Sequence, residues 1–371
     1  MTRSVGRAHR LNPSDYLLII AGSGRMLAEA AQKIGLKALV IDLYADLDTR
    51  EYALEVCRLP SLAIEYVAPV LDDFVGRYRV SRVVYGSGLE PYPETLDYLD
   101  ERMTVLGNSP IVFRSLQNKV EFFTVLADLR IPFPAISFVA PDAEGDWLIK
   151  PMQGQGGMGI YRHQQGSIKG LYWQKFQPGT PGSVLFLADT QDVCVIGFNT
   201  QFIGKLSVGL EFVFSGLINH STLSCQQKAL ISGWLTRCVQ RFGLKGLNSL
   251  DFIYDGERIY VLEVNPRPSA SMQCYDDLLA GHISACGGSL PDALPRQKDF
   301  AGFRVVYADK DLRIPEHFIW PDWALDRPEA GAVCRAGQPV CSVISRRSMA
   351  EQVEAELVAR QQQIFNQLIK V

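Results

Sequence analysis

The stretch DFIYDGERIYVLEVNPRP, residues 251–268, decides the fold of this 371-residue chain. Two apolar runs, DFIY and RIYVLEVN, have the β-branched and aromatic composition of strands, and the DG pair between them starts a turn. The stretch therefore predicts an antiparallel hairpin. If its loop holds an odd number of residues, Asp251 faces Glu263 across the ladder, and Asn265 follows two residues later on the same face.

This hairpin would place two carboxylates and one amide oxygen at one end of the strands. Hard oxygen ligands of this type suit Mg²⁺ (or Mn²⁺), which keeps water molecules and takes its other ligands from substrate phosphates. Zinc is disfavoured because no His or Cys joins the group. Carboxylates within such apolar strands would also be costly without a cation. We therefore predict that Asp251, Glu263 and Asn265 bind a divalent metal ion.

Arg267 follows the hairpin directly and lies between Pro266 and Pro268, which restrict the local backbone. A guanidinium held beside a metal–phosphate site can stabilise the negative charge that develops during phosphoryl transfer. The sequence therefore predicts a catalytic role for Arg267 rather than a place on the surface.

A second stretch, LIKPMQGQGGMGI at residues 148–160, carries the G-x-G-x-x-G spacing of dinucleotide sites. That fingerprint requires a helix after the glycines, but GIYRHQQG is β-branched and aromatic and contains a further glycine. The P-loop pattern also fails, because it needs a lysine after the glycines and Lys150 precedes them. The stretch instead predicts two strands joined by a glycine flap. Its backbone N–H groups, with the charge of Lys150, can close over phosphate oxygens.

The composition predicts a globular protein with a large core. Apolar residues make up 47% and charged residues 21% of the chain, which argues against global disorder. The formal net charge of −3, without a long basic block, argues against a nucleic-acid or membrane-surface partner. No apolar run approaches the ~20 residues that span a bilayer. The 8 cysteines include no C-x-x-C pair, which predicts free thiols in a reducing cytoplasm.

Strand and helix patterns alternate at the start of the chain. YLLIIAGSG (16–24), a helix over 25–34 and LKALVIDL (36–43) predict strand, glycine turn, helix and strand. Such alternation predicts a parallel sheet covered by helices on both faces, ending near the LGNSP cluster. A helix is then predicted from Leu116, followed by strands as far as residue 215 and a helix over about 226–242.

Together these motifs resemble the ATP-grasp superfamily, whose members place ATP and magnesium between two α+β lobes. The resemblance implies an α/β chain with a Rossmann-like pre-grasp domain (1–108), a two-lobed ATP-grasp domain (109–290) and a small C-terminal β/α extension (291–371). WQKFQPGTPGS resembles the hinge whose backbone holds adenine, so the lobes would meet near residues 174–179.

The resemblance also implies roles for single residues. Lys119 and Lys150 would hold the α- and β-phosphates of ATP, and Lys150 joins Arg267 as a catalytic candidate. The nucleotide-binding candidates are Lys119, Lys150, Gly154, Gly156, Gly157, Gln174, Lys175 and Phe176. The hinge departs from the usual pattern, because a glutamate commonly stands where this chain has Lys175 or Phe176. The preference for ATP over GTP is therefore less firmly predicted than metal binding.

At finer grain, the stretches at 85–96, 279–288 and 323–343 look like those of ligases that build one-carbon carriers. These proteins are similar to tyramine–glutamate ligase and are associated with methanofuran, methylofuran and tetrahydromethanopterin pathways. The implied reaction is ATP-dependent: a carboxylate attacks the γ-phosphate to give an acyl phosphate, and an amine then attacks the acyl carbon to give an amide. The implied partners are a small carboxylate and a small amine, with glutamate or another amino acid expected. A homodimer is compatible with the apolar first domain and tail.

Other interpretations stay open. A carbamoyl-phosphate-synthase-like or peptide-forming ligase would carry the same motifs. A nicotinamide-dependent oxidoreductase could use IIAGSGR, with Asp42 as the ribose-binding acid. That dinucleotide-binding pattern requires a third glycine, however, and the chain continues from Arg25 without one at the required spacing. An ATP-binding regulatory or scaffold protein would not need both lysines and all three metal ligands.

We expect His282 to be a structural residue of an apolar helix. Glu90 is expected to cap a helix or to hold a substrate amine.

Overall fold

Residues 15–141, 146–162, 170–206, 210–292 and 297–369 are described by the structure, a computed structural model of the chain. The first strands are β1 (Tyr16–Ile20), β2 (Lys37–Asp42), β3 (Glu55–Arg58), β4 (Arg82–Tyr85) and β5 (Thr104–Val105). The helices between them are α1 (Arg25–Lys33), α2 (Leu47–Tyr52), α3 (Ile64–Tyr78) and α4 (Pro93–Asp100). The strands form a five-stranded parallel sheet in the order β3-β2-β1-β4-β5, as the alternating pattern predicts.

Strand β1 is buried on both faces of this sheet. Leu17 and Ile19 pack in one apolar cluster, whereas Leu18 and Ile20 pack in another on the opposite face. Successive side chains of a strand alternate between faces, so one apolar run serves both helix layers. The turn into α1 requires glycine, because a Cβ at Gly24 would lie 2.4 Å from Val40 Cγ1.

Two helices, α5 (Pro110–Gln117) and α6 (Lys119–Asp128), replace the single helix predicted from Leu116. Asn118 has ψ of 95° and ends α5. Its side chain then accepts a hydrogen bond from Glu121 N and caps α6. The predicted helix is confirmed over Lys119–Asp128, but its predicted start at Leu116 was wrong, because the break before it depends on one N-cap residue. Because α6 begins directly after Asn118, Lys119 lies in its first turn.

A small antiparallel sheet follows, in the order β6-β9-β7-β8. Its strands are β6 (Ile136–Ser137), β7 (Trp147–Pro151), β8 (Tyr161–Arg162) and β9 (Leu171–Lys175). Strands β7 and β8 pair, and the glycine flap lies between them, so the prediction of two strands joined by a flap is confirmed. The last residues of GIYRHQQG, from residue 163, lie outside the described part of the chain.

The largest sheet has eight strands in the order β14-β13-β10-β11-β12-β15-β19-β17. Its elements as far as residue 286 are β10 (Thr180–Asp189), β11 (Val193–Gly204), β12 (Val213–Ile218), α7 (Cys225–Phe242), β13 (Lys245–Tyr254), β14 (Ile259–Asn265) and α8 (Leu278–Cys286). Helix α7 begins with a capping box between Ser224 and Gln227 and ends at Gly243. Its buried face packs with α6 against the sheet in one apolar cluster.

The C-terminal strands continue this same sheet. The remaining elements are β15 (Phe300–Tyr307), β16 (Leu312–Arg313), β17 (Ala324–Leu325), β18 (Val333–Cys334), β19 (Pro339–Arg347) and α9 (Ala350–Ile369). Strand β15 pairs with β12 on one side and β19 on the other. Helix α9 covers these strands with the buried Val353, Leu357 and Ile364. The domain boundaries proposed from the sequence, at 108 and 290, stay predictions, and the second falls between strands of one sheet.

No helix in the described residues is both long enough and apolar enough to cross a membrane. The predicted cytoplasmic location and the predicted homodimer stay predictions.

Candidate active site

One large cavity, of about 1080 Å³, lies between the small sheet and the large sheet. It lies at the upper end of the roughly 300–1,000 Å³ typical of small-molecule sites. The cavity is lined by the flap, the hinge, the β13–β14 hairpin, the loops after β1 and β4, and strand β15. All twelve residues that the sequence singled out for nucleotide, metal or catalytic roles line this cavity: Lys119, Lys150, Gly154, Gly156, Gly157, Gln174, Lys175, Phe176, Asp251, Glu263, Asn265 and Arg267.

The β13–β14 hairpin has the register that the sequence predicts. Asp251 lies directly opposite Glu263, and Ser249 lies opposite Asn265. A bulge between Asp251 and Phe252 shifts the rest of the ladder by one residue. Asn265 Nδ2 is 3.2 Å from Asp251 Oδ2. The three predicted ligands therefore meet at one end of the hairpin and face the cavity.

The two carboxylates differ in their affinity for a proton. Burial, followed by the charge of Glu263, raises the pKa of Asp251 to about 7. Burial also acts to raise the pKa of Glu263, but the charges of Lys119, Lys150 and Arg267 outweigh it and hold that pKa below its usual value. Like charges at close range oppose joint ionisation. A divalent cation between the two carboxylates would remove this repulsion.

The donor set fits a magnesium-type ion. No group of three or more His, Cys, Asp or Glu able to hold a metal occurs among the described residues. The hairpin offers instead two carboxylates and one amide, and Mg²⁺ commonly completes such a partial shell with water and phosphate oxygens. In this structure the amide nitrogen of Asn265 faces Asp251. Rotating that amide by half a turn would present Oδ1 to a cation.

Two lysines reach the metal end of the cavity from different elements. Lys119, in the first turn of α6, is 6% exposed, and its Nζ lies 3.7 Å from Glu263 Oε2. Lys150, on β7, donates from Nζ to Gln174 Oε1 at 3.0 Å. Burial of its ammonium, followed by opposing effects of Glu263 and Lys119, gives Lys150 a pKa of about 8. Both cations are placed to hold an anionic ligand between the flap and the hairpin.

The glycine flap already contacts the large sheet. Gly156 O accepts a hydrogen bond from Phe214 N at 2.9 Å. Gly157 has φ of 76°, and a Cβ there would lie only 1.9 Å from Phe212 O. Only glycine allows this close approach, because any side chain would collide with the backbone. Gly154, Gly156 and Gly157 therefore form a lid of bare backbone over the cavity.

The hinge strand β9 presents Gln174, Lys175 and Phe176 to the cavity. Lys175 N donates to Ala135 O, and Phe176 N donates to Asp146 O, at 2.8 and 2.7 Å. These two N–H groups are therefore already hydrogen-bonded to backbone carbonyl groups of the protein. Gln174 is 2% exposed, and its Nε2 is buried with no hydrogen-bond partner in the described structure. Because the Lys150 ammonium can only donate, it fixes Gln174 Oε1 toward itself and leaves Nε2 free to donate.

Arg267 is 7% exposed and is held by Glu90, whose Oε1 accepts from Arg267 Nε at 2.8 Å. Glu90 Oε2 also accepts from Gly88 N at 2.7 Å. Arg267 Nη2 lies 3.5 Å from Asn265 Oδ1. The guanidinium is thus fixed beside the metal ligands, as the flanking prolines predict. Glu90, for which the sequence indicated a helix cap or an amine ligand, instead positions Arg267.

Residues 116–271 of the chain match the family described as ATP-grasp domain. The matched segment has the ATP-grasp fold. It contains both lysines, the flap, the hinge and the metal hairpin. The ATP-grasp fold that the sequence resemblance implies is therefore confirmed.

Solved structures share this fold over nearly the whole chain. The biotin carboxylase domain dimer of the Hydrogenobacter thermophilus 2-oxoglutarate carboxylase, solved with MgADP, ADP and bicarbonate, superposes with a TM-score of 0.73 at 14% identity, covering 92% of this chain and 88% of that one. The L-amino acid ligase of Bacillus licheniformis superposes with a TM-score of 0.70 at 15% identity, covering 93% and 96%. At such low identities these likenesses establish the fold of the chain and no more.

Among curated proteins, the arginine-specific large chain of carbamoyl phosphate synthase from Geobacillus stearothermophilus is 22% identical over 265 residues. The match covers 66% of this chain but only 25% of that relative's length.

A polar network that sequence reasoning missed holds the loop beneath the ATP-grasp cavity. Tyr85 Oη and Asn108 Nδ2 both donate to Pro266 O, at 3.1 and 2.9 Å. Asn108 Nδ2 is also 2.8 Å from Asn248 Oδ1, and Asn108 Oδ1 accepts from Lys245 N. The residue before Arg267 is thus tied to the N-terminal sheet. No local sequence signal connects these residues, because the partners are far apart in the chain.

Gln201 on β11 is a second missed residue of the ATP-grasp site. Its Nε2 donates to Asp251 Oδ1 at 3.1 Å, and it lines the cavity. A single glutamine in a strand carries no functional signature. Ser269 and Ser271 also line the cavity, and their hydroxyls lie 2.8 Å apart.

The residues on which the oxidoreductase interpretation rests have structural roles in this chain. Asp42 is fully buried, and its carboxylate accepts from the backbone N–H groups of Gly24, Tyr44 and Ala45. It therefore closes the turn after β1 and is not exposed to bind a ribose. Arg25 is 2% exposed and is ion-paired with Asp326 at 3.0 Å.

His282 is structural, as predicted. It is fully buried in α8; its Nδ1 accepts from Leu247 N, and its Nε2 lies 2.9 Å from Leu106 O. Burial lowers the pKa of this histidine to about 4, so the ring stays neutral at physiological pH.

Proposed function

We propose that this protein is an ATP-dependent ligase that joins a small carboxylate to a small amine through an acyl phosphate. The observation that carries the proposal is the meeting of Asp251 and Glu263 with Lys119, Lys150 and Arg267 in one cavity. Two paired carboxylates with three cationic side chains nearby suit a magnesium–triphosphate ligand. They poorly suit a nicotinamide cofactor that transfers hydride.

In the first step, an oxygen of the substrate carboxylate attacks the γ-phosphorus of ATP, and the bond to the β-phosphate oxygen breaks to release ADP. Lys119 and Lys150 would hold the α- and β-phosphates, and Asp251, Glu263 and Asn265 would bind Mg²⁺ (or Mn²⁺). The metal would neutralise charge on the β- and γ-phosphates. The flap glycines would cover the phosphates and exclude water. Gln174, Lys175 and Phe176 would surround the base.

In the second step, the amine nitrogen attacks the acyl carbon, phosphate leaves with the bonding electrons, and the nitrogen loses its proton to give an amide. Arg267, fixed by Glu90, would steady the negative charge of the acyl phosphate and of the departing phosphate. The chain supplies position and charge and needs no covalent intermediate of its own.

We further propose that the ligase adds glutamate, or another amino acid, in the synthesis of a one-carbon carrier. Support comes from three stretches of the sequence, at 85–96, 279–288 and 323–343, which resemble ligases of those pathways. The L-amino acid ligase with the same fold is compatible with an amino-acid substrate. We also propose that the protein acts in the cytoplasm as a homodimer.

The second candidate is synthesis of a carbamoyl-phosphate-like product, which the curated relative favours. The two candidates differ in their substrates: the second consumes bicarbonate and ammonia or a simple amine donor. Bicarbonate-dependent ADP release without any organic carboxylate would favour it.

The metal hairpin provides the test of the proposed function. Glu263→Gln removes a ligand charge and should lower ADP release by about two orders of magnitude or more, even at saturating ATP. Glu257→Gln, in the exposed turn of the same hairpin, is the matched control and should retain wild-type turnover. Release is measured with a panel of carboxylates and amines that includes glutamate and pterin or furan precursors. Normal turnover by Glu263→Gln would refute the metal assignment.

A further inference from the structure

The cavity extends beyond the phosphate site to strand β15. We call this end the β15 pocket and define it by Tyr44, Phe202, Phe214, Leu217, Arg304 and Tyr307, all of which line the cavity. Four of these side chains are aromatic and one is a guanidinium. Arg304 lies outside the segment that matches the ATP-grasp family, which ends at residue 271. None of the steps proposed above uses it.

The sheet register brings Arg304 onto the ring of Phe202. Phe202 pairs with Gly216, and Gly216 pairs with Arg304, so the three residues form one row across β11, β12 and β15. Gly216 has φ of 130°, and a Cβ there would lie 2.1 Å from Phe303 O. With no side chain between them, the Arg304 guanidinium carbon lies 4.7 Å from the centre of the Phe202 ring. The glycine is therefore required for this stacking.

Arg304 lacks the partners that a half-buried guanidinium normally has. Its Nη1 donates to Gln361 Oε1 at 3.3 Å, a neutral acceptor, and its Nε is buried without any partner in the described structure. The guanidinium forms no salt bridge with a carboxylate of the described residues. Desolvation lowers its pKa, and only the more distant charge of Glu354 acts to raise it. Removing a cation from water without an anion is costly.

The walls beside Arg304 are apolar and held in place. Tyr307 Oη donates to Phe214 O at 2.8 Å, which fixes the Tyr307 ring against β12. Phe214 packs on Phe303 with ring centres 6.0 Å apart. A rigid apolar wall that ends in a cation suits a ligand with an apolar body and an anionic end.

We propose that the β15 pocket binds the amine substrate through an anionic group, with that group at Arg304 and its apolar portion against Phe202, Phe214 and Tyr307. The inference rests on the proposed ligase function and narrows it: the amine donor is an amino acid, or another amine bearing a carboxylate or phosphate. A planar guanidinium can donate two parallel hydrogen bonds to such a group.

Matched ligands test the charge requirement directly. The probes are L-glutamate and L-phenylalanine, the amide of each without any carboxylate (for glutamate the diamide), and the phosphonate analogue of phenylalanine. Binding to the full chain is measured by saturation-transfer NMR with a non-hydrolysable magnesium–ATP analogue present. In at least one series the anionic ligand should bind about 10- to 100-fold more tightly than its neutral amide. Preference for the carboxylate over the phosphonate supports an amino acid, and the reverse supports a phosphate-bearing amine.

Variants of Arg304 separate this inference from the proposed function. Arg304→Gln should abolish the preference for the anion and leave magnesium–nucleotide affinity unchanged, while Arg304→Lys should retain part of the preference. Arg241→Gln, at an exposed position of α7, is the control. Equal binding of acid and amide in both series by the wild-type chain would overturn the inference, as would loss of nucleotide affinity in a folded Arg304→Gln. Absence of ADP release with every substrate would instead overturn the ligase function.

Discussion

Lys150 is a buried cation whose charge depends on pH near neutrality. Its pKa of about 8 arises chiefly because burial opposes the charged form, while Glu263 acts to raise the pKa and Lys119 to lower it. Its hydrogen-bond partner, Gln174, is neutral. A carboxylate at position 174 would favour the ammonium, whereas an amide only accepts one hydrogen bond from it. The residue beside Lys150 therefore sets the pH range in which the phosphate site is positively charged.

Nucleotide affinity should weaken as pH rises through about 8. Above that pKa unliganded Lys150 is neutral, so each further pH unit should weaken magnesium–ATP binding by up to about tenfold. Gln174→Glu places a carboxylate beside the ammonium, raises its pKa and should move the weakening to higher pH. Calorimetric titrations across this range measure the effect, with the exposed Gln191→Glu as control. Affinity that is constant to well above pH 8 in the wild type would contradict the role of Lys150.

Glu90→Gln should impair catalysis more than nucleotide binding. The change leaves the buried Arg267 without its anionic partner, which costs on the order of 3–5 kcal/mol in such pairs. Because Arg267 acts on the acyl phosphate in our proposal, kcat should fall while the Kd for magnesium–ATP stays close to that of the wild type. Glu94→Gln, one helix turn later in α4, is the control. A normal kcat in a folded Glu90→Gln would show that Arg267 does not need this partner.

The meeting of the proposed metal ligands could be predicted from the sequence, whereas the residues that support them could not. Asp251, Glu263 and Asn265 lie within one hairpin, where the alternation of a strand and one turn determine which side chains meet. Glu90 and Arg267 are separated by 177 positions, and Gln201 and Asp251 by 50. Those contacts depend on how whole elements pack, and no local pattern encodes them.

The flap and the proposed metal hairpin are the two elements that would approach each other around a phosphate in the proposed function. The flap lies between β7 and β8 of the small sheet, and the hairpin belongs to the large one. Strand composition and glycine spacing predict both elements. The break between α5 and α6 was missed because one residue, Asn118, determines it. That break matters for function, since it places Lys119 at a helix start facing Glu263.

Gly157→Ala should interfere with closure of the flap more than Gly156→Ala. Both positions have positive φ, 76° and 62°, so both variants carry backbone strain of about 1–3 kcal/mol. Only at Gly157 would the new Cβ collide with Phe212 O, since nothing lies within 4 Å of a Cβ at Gly156. KM for ATP should therefore rise further in Gly157→Ala. Equal KM values in the two variants would mean that the contact with Phe212 is not needed for nucleotide binding.

At the scale of the whole molecule, the C-terminal part closes the cavity by attaching to the N-terminal sheet. Arg25, at the start of α1, binds Asp326 at 3.0 Å and Gln273 at 2.6 Å. Asp48 accepts from the backbone N–H groups of Asp326 and Arg327. The cavity therefore has walls from the beginning, the middle and the end of the chain. Periodicity predicted each of these parts, but the attachments between them depend on distant ion pairs that a single sequence does not reveal.

Arg25→Met should destabilise the folded chain strongly. Removing one member of a buried ion pair typically costs about 3–5 kcal/mol, because the partner charges remain buried. Arg50→Gln is a matched control: its pair with Glu329 also links the two ends of the chain, but both side chains are about half exposed, 49% and 50%, so the loss should be below about 1 kcal/mol. Urea unfolding measures both changes. Similar unfolding free energies for the two variants would refute a stabilising role for Arg25.

The hydrogen bond between Gly156 O and Phe214 N has a kinetic consequence for nucleotide entry. While this bond is formed the flap is held against the large sheet, so a nucleotide that reaches the mouth of the cavity must wait for the bond to break. Nucleotide should then bind more slowly than diffusion alone would allow. The observed binding rate should level off at high nucleotide concentration, at the rate at which the flap opens.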